Sequence, residues 1–346
     1  MTSSTAPKPL AFVNSLKQAL PKFSPLSVFA ELPSGLSADL PSGLSSALLE
    51  YFSFYEFDGL FAGQGLVDRY DFGSIQAGAY QLACHYWAVD QARAEVVICH
   101  GLFDHVALYQ PLIRYLLSQR INVLAFDLPE HGLSSGGFGQ LDDFSLYHQT
   151  LEALLEHFPK GELARIALGQ STGAAVWSGP LLQKTPLAVD AAIFLAPLLK
   201  VRAWKKIQCA NYVLRPWLKK IRRSFTSNSH DPDFVDFLCH KDPLQVRYIS
   251  TSWIAAMLRW PAVFMALPAS SIPLFLVQGT GDKTVDFDYN LPCFKQKFLN
   301  AQVMILEGAR HHLTREAAPW QEPMFTAIGS YLDDFLGAQQ PAKSES

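Results

Sequence analysis

Cysteine is scarce and scattered. Cys84, Cys99, Cys209, Cys239 and Cys293 lie far apart, and no C-x-x-C pair occurs. That spacing excludes a zinc ribbon and a compact disulfide framework. An odd number of thiols fits a reducing compartment or simple burial. Long apolar runs are also missing. No run of about 18 apolar residues exists, so no transmembrane helix is expected. "LAFVNSL" near the N-terminus is short and soon interrupted by Lys17 and Lys22, unlike a signal peptide. The expected location is cytoplasmic, with peripheral membrane association as an option. Net charge is formally -3, so the bulk balance gives no pull toward nucleic acid. The segment "GTGDKT" at 279–284 lacks the GxxxxGK[ST] pattern of a phosphate loop. His100 and His105 are five apart, His311 and His312 are adjacent, and HExxH is absent. No cofactor and no metal are therefore expected.

A sizeable core is affordable, because 49% of the 346 residues are hydrophobic. The length fits one large α/β domain with an insertion, or two small domains. Residues 1–65 read as a partly irregular extension rich in Pro, Ser and Gly. "LPSGLS" occurs there twice, at 32–37 and 40–45, and a short helix is expected over 44–54. From about residue 80 the pattern turns regular. Strands are predicted at 80–89, from 95, from 121, before Ser171, and at 191–197, 272–279 and 301–308. Helices are predicted at 107–120, 143–158, after Ser171, and at 317–336. Short apolar strands alternating with amphipathic helices predict a mainly parallel sheet covered on both faces. Residues 66–197 and 271–337 form that expected core, and residues 338–346 a disordered tail.

Residues 198–270 break the rhythm and read as a mostly helical insertion over the carboxyl edge of the sheet. Residues 200–223 hold nine basic side chains, interleaved with Trp204, Ile207, Tyr212, Val213, Trp217 and Leu218. This amphipathic stretch could contact an anionic membrane. The plain alternative is a solvated helix face, common on proteins in solution. No recognition motif accompanies it, so nucleic acid is not an expected partner.

The chemistry centres on "GQSTG" at 169–173. A serine on a strand-turn-helix corner is lifted clear of the sheet, and flanking glycines relieve crowding at the bend. An ordinary β-α turn is the plain alternative. Acyl transfer also needs a base, a group orienting that base, and donors for the oxyanion. The base candidates are His311 and His312, after the last strand. The acid candidates are Asp282 and Asp286, after the strand at 272–279. The order Ser171, Asp282, His311 is that of nucleophile-elbow hydrolases. Backbone N–H groups of Leu102 and Thr172 are the candidate oxyanion donors. His100 and Gly101 shape the loop before Leu102, His100 as a structural donor more than a second base.

Several ordered pieces then carry a resemblance: "HGLFDH" at 100–105, "DLPEHGLSSG" at 127–136, "GQSTG", "QGTGDKTVD" at 278–286 and "EGARHHLTRE" at 307–316. Over about residues 68–337 the chain resembles the α/β-hydrolase superfamily, in its lysophospholipase and monoacylglycerol lipase-like branch of S33 type. The resemblance implies Ser171 as nucleophile, Asp282 as acid and His311 as base, and Leu102 and Thr172 as oxyanion donors. It implies that the insertion is a cap shaping an acyl channel. Its departures are Gln170 and Thr172, where the branch often has His and Met, Asp104 for Glu, and Glu130 for Gly. The expected reaction is cleavage of a carboxylic ester of a monoacyl lipid, either lysophospholipid or monoacylglycerol. The alternatives are an amidase or peptidase with the same triad, and a non-catalytic lipid-binding protein that has kept the fold.

Overall fold

The computed structural model describes residues 11–18, 42–60, 65–137, 141–183 and 187–339. The first "LPSGLS" copy and residues 340–346 lie outside them. Two helices come first, α1 (Ala11–Gln18) and α2 (Ser42–Phe54), followed by the hairpin β1 (Arg69–Ala77) and β2 (Tyr80–Ala88). The alternating part comprises β3 (Ala94–Cys99), α3 (Gln110–Ser118), β4 (Ile121–Phe126), α4 (Ser145–His157), β5 (Ala164–Gln170), α5 (Thr172–Leu181) and β6 (Ala191–Leu195). The chain then leaves the sheet for α6 (Trp204–Leu214), β7 (Lys220–Arg222), α7 (Pro232–Asp236), β8 (Tyr248–Ser250) and α8 (Thr251–Ala266). It returns through β9 (Leu274–Gly279), α9 (Phe287–Lys297), β10 (Ala301–Leu306) and α10 (Ala318–Gln339).

Eight strands form one sheet in the order β1-β2-β4-β3-β5-β6-β9-β10. β2 pairs antiparallel with both of its neighbours, and the other pairings are parallel. β4, β6 and β9 are buried along their whole length, which is why they read as largely apolar runs, broken only by Asn122 in β4 and Gln278 in β9. Alternate residues feed two cores. Ile98, Val123, Leu168 and Leu195 face the layer containing α2, α3 and α10. Val97, Leu124, Ala167 and Phe194 face the layer containing α4, α5, α8 and α9. This is an α/β-hydrolase fold with a largely helical insertion between β6 and β9.

Three features depart from the pattern in the sequence. β1 was not predicted, because Asp71, Gly73, Ser74 and Gln76 give it poor strand propensity. Its register with β2, Arg69↔Ala88 to Ala77↔Tyr80, supplies what propensity does not. The insertion also contains a two-stranded antiparallel ribbon, β7 with β8. Strands of three residues are too short to show alternation. At the C-terminal end α10 runs to Gln339, so Ala338 and Gln339 are helical and not part of a tail.

Candidate active site

The candidate groups all follow the carboxyl ends of parallel strands. β5 ends at Gln170, and α5 starts at Thr172, so Ser171 is the whole corner. Its backbone sits at φ 54 and ψ -113, a region costly for a residue with a Cβ. The Ser171 N–H donates to the Leu195 carbonyl at 2.9 Å, and its own carbonyl accepts from Leu198 N–H at 3.1 Å. Those bonds hold the corner against the next strand. The turn also needs its glycines. A Cβ on Gly173 would stand 1.9 Å from the Cys99 carbonyl oxygen, and one on Gly169 would stand 2.5 Å from the Ala174 nitrogen.

His311 reaches Ser171 from the loop after β10. Its Nε2 is 3.0 Å from Ser171 Oγ, and its Nδ1 is 2.7 Å from Asp282 Oδ2. Two glycines bring the β9 and β10 loops together. A Cβ on Gly279 would lie 2.2 Å from the Ala309 carbonyl oxygen, and one on Gly281 would lie 2.2 Å from that of Gly308. Asp282 is buried and already accepts from the N–H groups of Thr284 (2.7 Å) and Val285 (3.1 Å) through Oδ1. Burial pushes the Asp282 carboxyl up, but His311 and these donors outweigh it and hold it below its ordinary value. Burial likewise pushes the His311 imidazole down, and the adjacent carboxylate holds it above its ordinary value. Because Oδ2 accepts from Nδ1–H, Nε2 is left to accept the serine proton.

The rivals go elsewhere. His312 donates its backbone N–H to the Asn228 carbonyl at 2.8 Å, and its Nε2 lies 3.3 Å from Asp104 Oδ1 without hydrogen-bond alignment. It packs edge-on against Phe234. Asp286 starts α9, and its N–H donates to the Lys200 carbonyl at 2.9 Å.

The loop after β3 lies against the nucleophile: a Cβ on Gly101 would be 3.5 Å from Ser171 Cβ. Tyr109 Oη accepts from Gly101 N–H at 3.0 Å and donates to Asp104 Oδ2 at 3.1 Å. His100 Nε2 accepts from Leu128 N–H at 2.9 Å, so its Nδ1 carries the proton and donates to the Gly101 carbonyl at 2.7 Å. Burial pushes this imidazole down to about 3, and it stays neutral as a strut between two loops. The Leu102 and Thr172 N–H groups have no hydrogen-bond partner among the described residues, and both residues line the same cavity as Ser171. Thr172 is the first residue of α5, where helical N–H groups lack partners within the helix.

Sequence reasoning missed the supports around this constellation. Gln170 is one: its Oε1 accepts from Thr314 N–H at 3.2 Å and ties the His311 loop to the end of β5. That gives a physical use for a residue standing where the resembling branch often has His. Glu316 is another. Buried, it accepts from the backbone N–H groups of Arg310 and His230 and from His230 Nδ1. It thereby links the residue before His311 to the insertion. Their partners are distant in sequence, so no local pattern marks them.

Above Ser171 lies a cavity of about 460 Å³, walled by the two oxyanion-loop candidates below and by the insertion above. Leu198, Ile207, Ile249, Trp253 and Met257 give it a mainly apolar lining. Among the described residues no group of three or more His, Cys, Asp or Glu could hold a metal ion.

A family model described as serine aminopeptidase, S33, matches residues 90–318. The phospholipase YtpA of Bacillus subtilis (strain 168) is 25% identical, covering 72% of this chain and 99% of its own. The monoglyceride lipase of Mus musculus is 25% identical over 76% of this chain and 90% of its own. Among solved structures, a soluble variant of monoglyceride lipase from Saccharomyces cerevisiae superposes with a TM-score of 0.66 at 19% identity, covering 76% of this chain and 94% of that one. The monoacylglycerol lipase of Paleococcus ferrophilus gives 0.64 at 22% identity, covering 73% and 99%. At these identities the structures support the fold.

Proposed function

The chain belongs to the serine aminopeptidase S33 family, and from that premise we propose that it is a serine hydrolase cleaving the carboxylic ester of a monoacyl lipid. The observation carrying this reading is the unbroken series Asp282–His311–Ser171, at 2.7 and 3.0 Å, opening into an apolar cavity. In this reading residues 66–197 and 271–337 are the catalytic core, residues 198–270 the cap, and residues 1–65 an extension. His311 Nε2 takes the Ser171 proton as Oγ attacks the ester carbonyl. The Leu102 and Thr172 N–H groups hold the oxyanion. His311 then gives its proton to the leaving alcohol, and afterwards activates the water that frees the fatty acid. Asp282 keeps the imidazole in the tautomer this needs.

The test is a matched pair of substrates, 1-oleoylglycerol and an oleoyl amide of the same size, alongside fluorophosphonate labelling of Ser171. The expected result is labelling, with ester turnover well above amide turnover. Amide cleavage without ester cleavage would make the protein an amidase or peptidase. Absence of both labelling and turnover would leave a lipid-binding protein.

The outer face of the cap supports a second part of the proposal, peripheral contact with an anionic membrane through residues 200–223. Among the described residues no helix is long and apolar enough to cross a membrane. Tyr212 and Trp217 are nonetheless 86% and 84% exposed, adjoining in sequence the exposed Val213 and Leu218, with the cationic Arg215 and Lys219 close by in the chain. Large apolar side chains flanked by cations suit the interfacial zone of a bilayer. Co-sedimentation with vesicles containing phosphatidylserine should exceed that with phosphatidylcholine alone, and Trp217→Ser should weaken it about threefold or more. Equal, negligible binding to both vesicles rejects the docking surface.

A further inference from the structure

The lipid-ester reading leaves the headgroup open, and the charge pattern of the cavity bears on it. Arg202, Arg223 and Lys283 line the cavity, whereas Asp104 is its one acidic residue among the described lining. Asp104 Oδ2 accepts from Tyr109 Oη at 3.1 Å, and its Oδ1 lies 3.3 Å from His312 Nε2 without hydrogen-bond alignment. Arg202 is committed too, its Nε donating to the Asp282 carbonyl oxygen at 3.0 Å.

Arg223 is different. It follows β7, and its backbone N–H donates to the Arg247 carbonyl at 2.9 Å, which fixes the start of the side chain. Its guanidinium carbon sits 4.1 Å from the Phe103 ring centre and 4.5 Å from that of Phe225. Nη1 donates to Gln245 Oε1 at 2.6 Å. No carboxylate comes within 4.0 Å of this guanidinium among the described residues. Burial pushes it down to about 10, with Asp104 opposing from longer range, so it keeps its charge at neutral pH. A planar cation clamped between two rings has lost its rotamer freedom already, and its fork of donors matches a phosphate. Phe103 directly follows Leu102, so the guanidinium stands next to the loop that would receive the ester carbonyl.

We infer that Arg223 is a phosphate-binding residue of this cavity, and that the preferred substrate is a monoacyl lipid with a net-negative phosphate headgroup. This rests on the ester-hydrolase reading above. A neutral glycerol headgroup would offer the guanidinium hydroxyl acceptors but no opposite charge to offset its desolvation. A choline headgroup would place its ammonium among Arg202, Arg223 and Lys283, with Asp104, already bonded to Tyr109, as the one carboxylate in the described lining.

The experiment compares 1-oleoylglycerol, 1-oleoylglycerol 3-phosphate and 1-oleoylglycerophosphocholine in the same neutral detergent, with wild-type protein, Arg223→Met and Arg223→Lys. For wild type, kcat/KM on the phosphate lipid should exceed the other two by about tenfold or more, as one charge-assisted contact allows. Arg223→Met should lose about tenfold more on the phosphate lipid than on 1-oleoylglycerol, mainly through KM. Arg223→Lys, which keeps the charge without the fork, should fall between and remains informative if the methionine variant does not fold. Protection of Ser171 from fluorophosphonate by each lipid reads binding without turnover. Failure of ester cleavage on all three lipids would therefore sink the reaction while the protection ranking still judges the headgroup. Equal protection by the phosphate and glycerol lipids, or equal losses on both in the variants, would overturn the inference.

Discussion

Ser171→Ala is expected to lower kcat on a monoacyl ester by about 10⁴-fold or more, the scale seen when a triad nucleophile is removed. The fold should survive. Alanine meets the same backbone penalty as serine at φ 54, and the corner is held by main-chain bonds to Leu195 and Leu198 that need no side chain. The loss from the folded state is one hydroxyl contact to His311. Residual turnover would come from the cavity and the two N–H donors, which still bind substrate and polarise its carbonyl. Initial rates, loss of fluorophosphonate labelling and an unchanged circular dichroism spectrum together check the expectation. Turnover within tenfold of wild type would move the nucleophile elsewhere.

Legibility of this protein tracks how local each determinant is. β4, β6 and β9 are buried on both faces, so burial alone writes them as apolar runs. The serine corner was legible because a strand, a tight turn and a helix start are consecutive there. β1 was not, since its stability lies in nine pairings with β2 and not in its own residues. Adjacent His311 and His312 could not be told apart by spacing. Their difference is made by Asn228 and Asp104, one in the cap and one after β3, which take His312 while Asp282 takes His311. Gln170 belongs to the same class. It sits inside the most visible motif of the chain, yet its use depends on Thr314, whose N–H it accepts across the site. The cationic clamp at Arg223 likewise needs Phe103 from one end of the core and Phe225 from the cap. Within 200–223 it read as one more basic residue on an amphipathic face.

Asp282→Asn should give the second large loss, about 10⁴-fold in kcat near neutral pH. Oδ1 can still accept from Thr284 and Val285, so the side chain keeps its orientation. The atom facing His311 Nδ1 then becomes an amide nitrogen that donates. Nδ1 must accept, the ring proton moves to Nε2, and Nε2 can no longer take the serine proton. The pH profile should change as well. With Asp282 present the imidazole is held above its ordinary 6.5, and activity rises with pH as it becomes neutral. With asparagine, burial is opposed only by the more distant Asp104, so that limb moves to lower pH. Stability follows the same linkage. The depressed carboxyl of Asp282 stabilises the fold above its ordinary 3.8 and loses this as pH falls through its folded value. The raised imidazole of His311 stabilises below 6.5 and loses this as pH rises through its folded value. Both contributions are in full force between 3.8 and 6.5. Urea midpoints for wild type and variant should therefore differ most near the middle of that window and less at alkaline pH, where the His311 part is gone and the Asp282 part remains. A difference that stayed constant from the window into the alkaline range, or a variant with an unshifted activity profile, would remove Asp282 from the role of His311's partner.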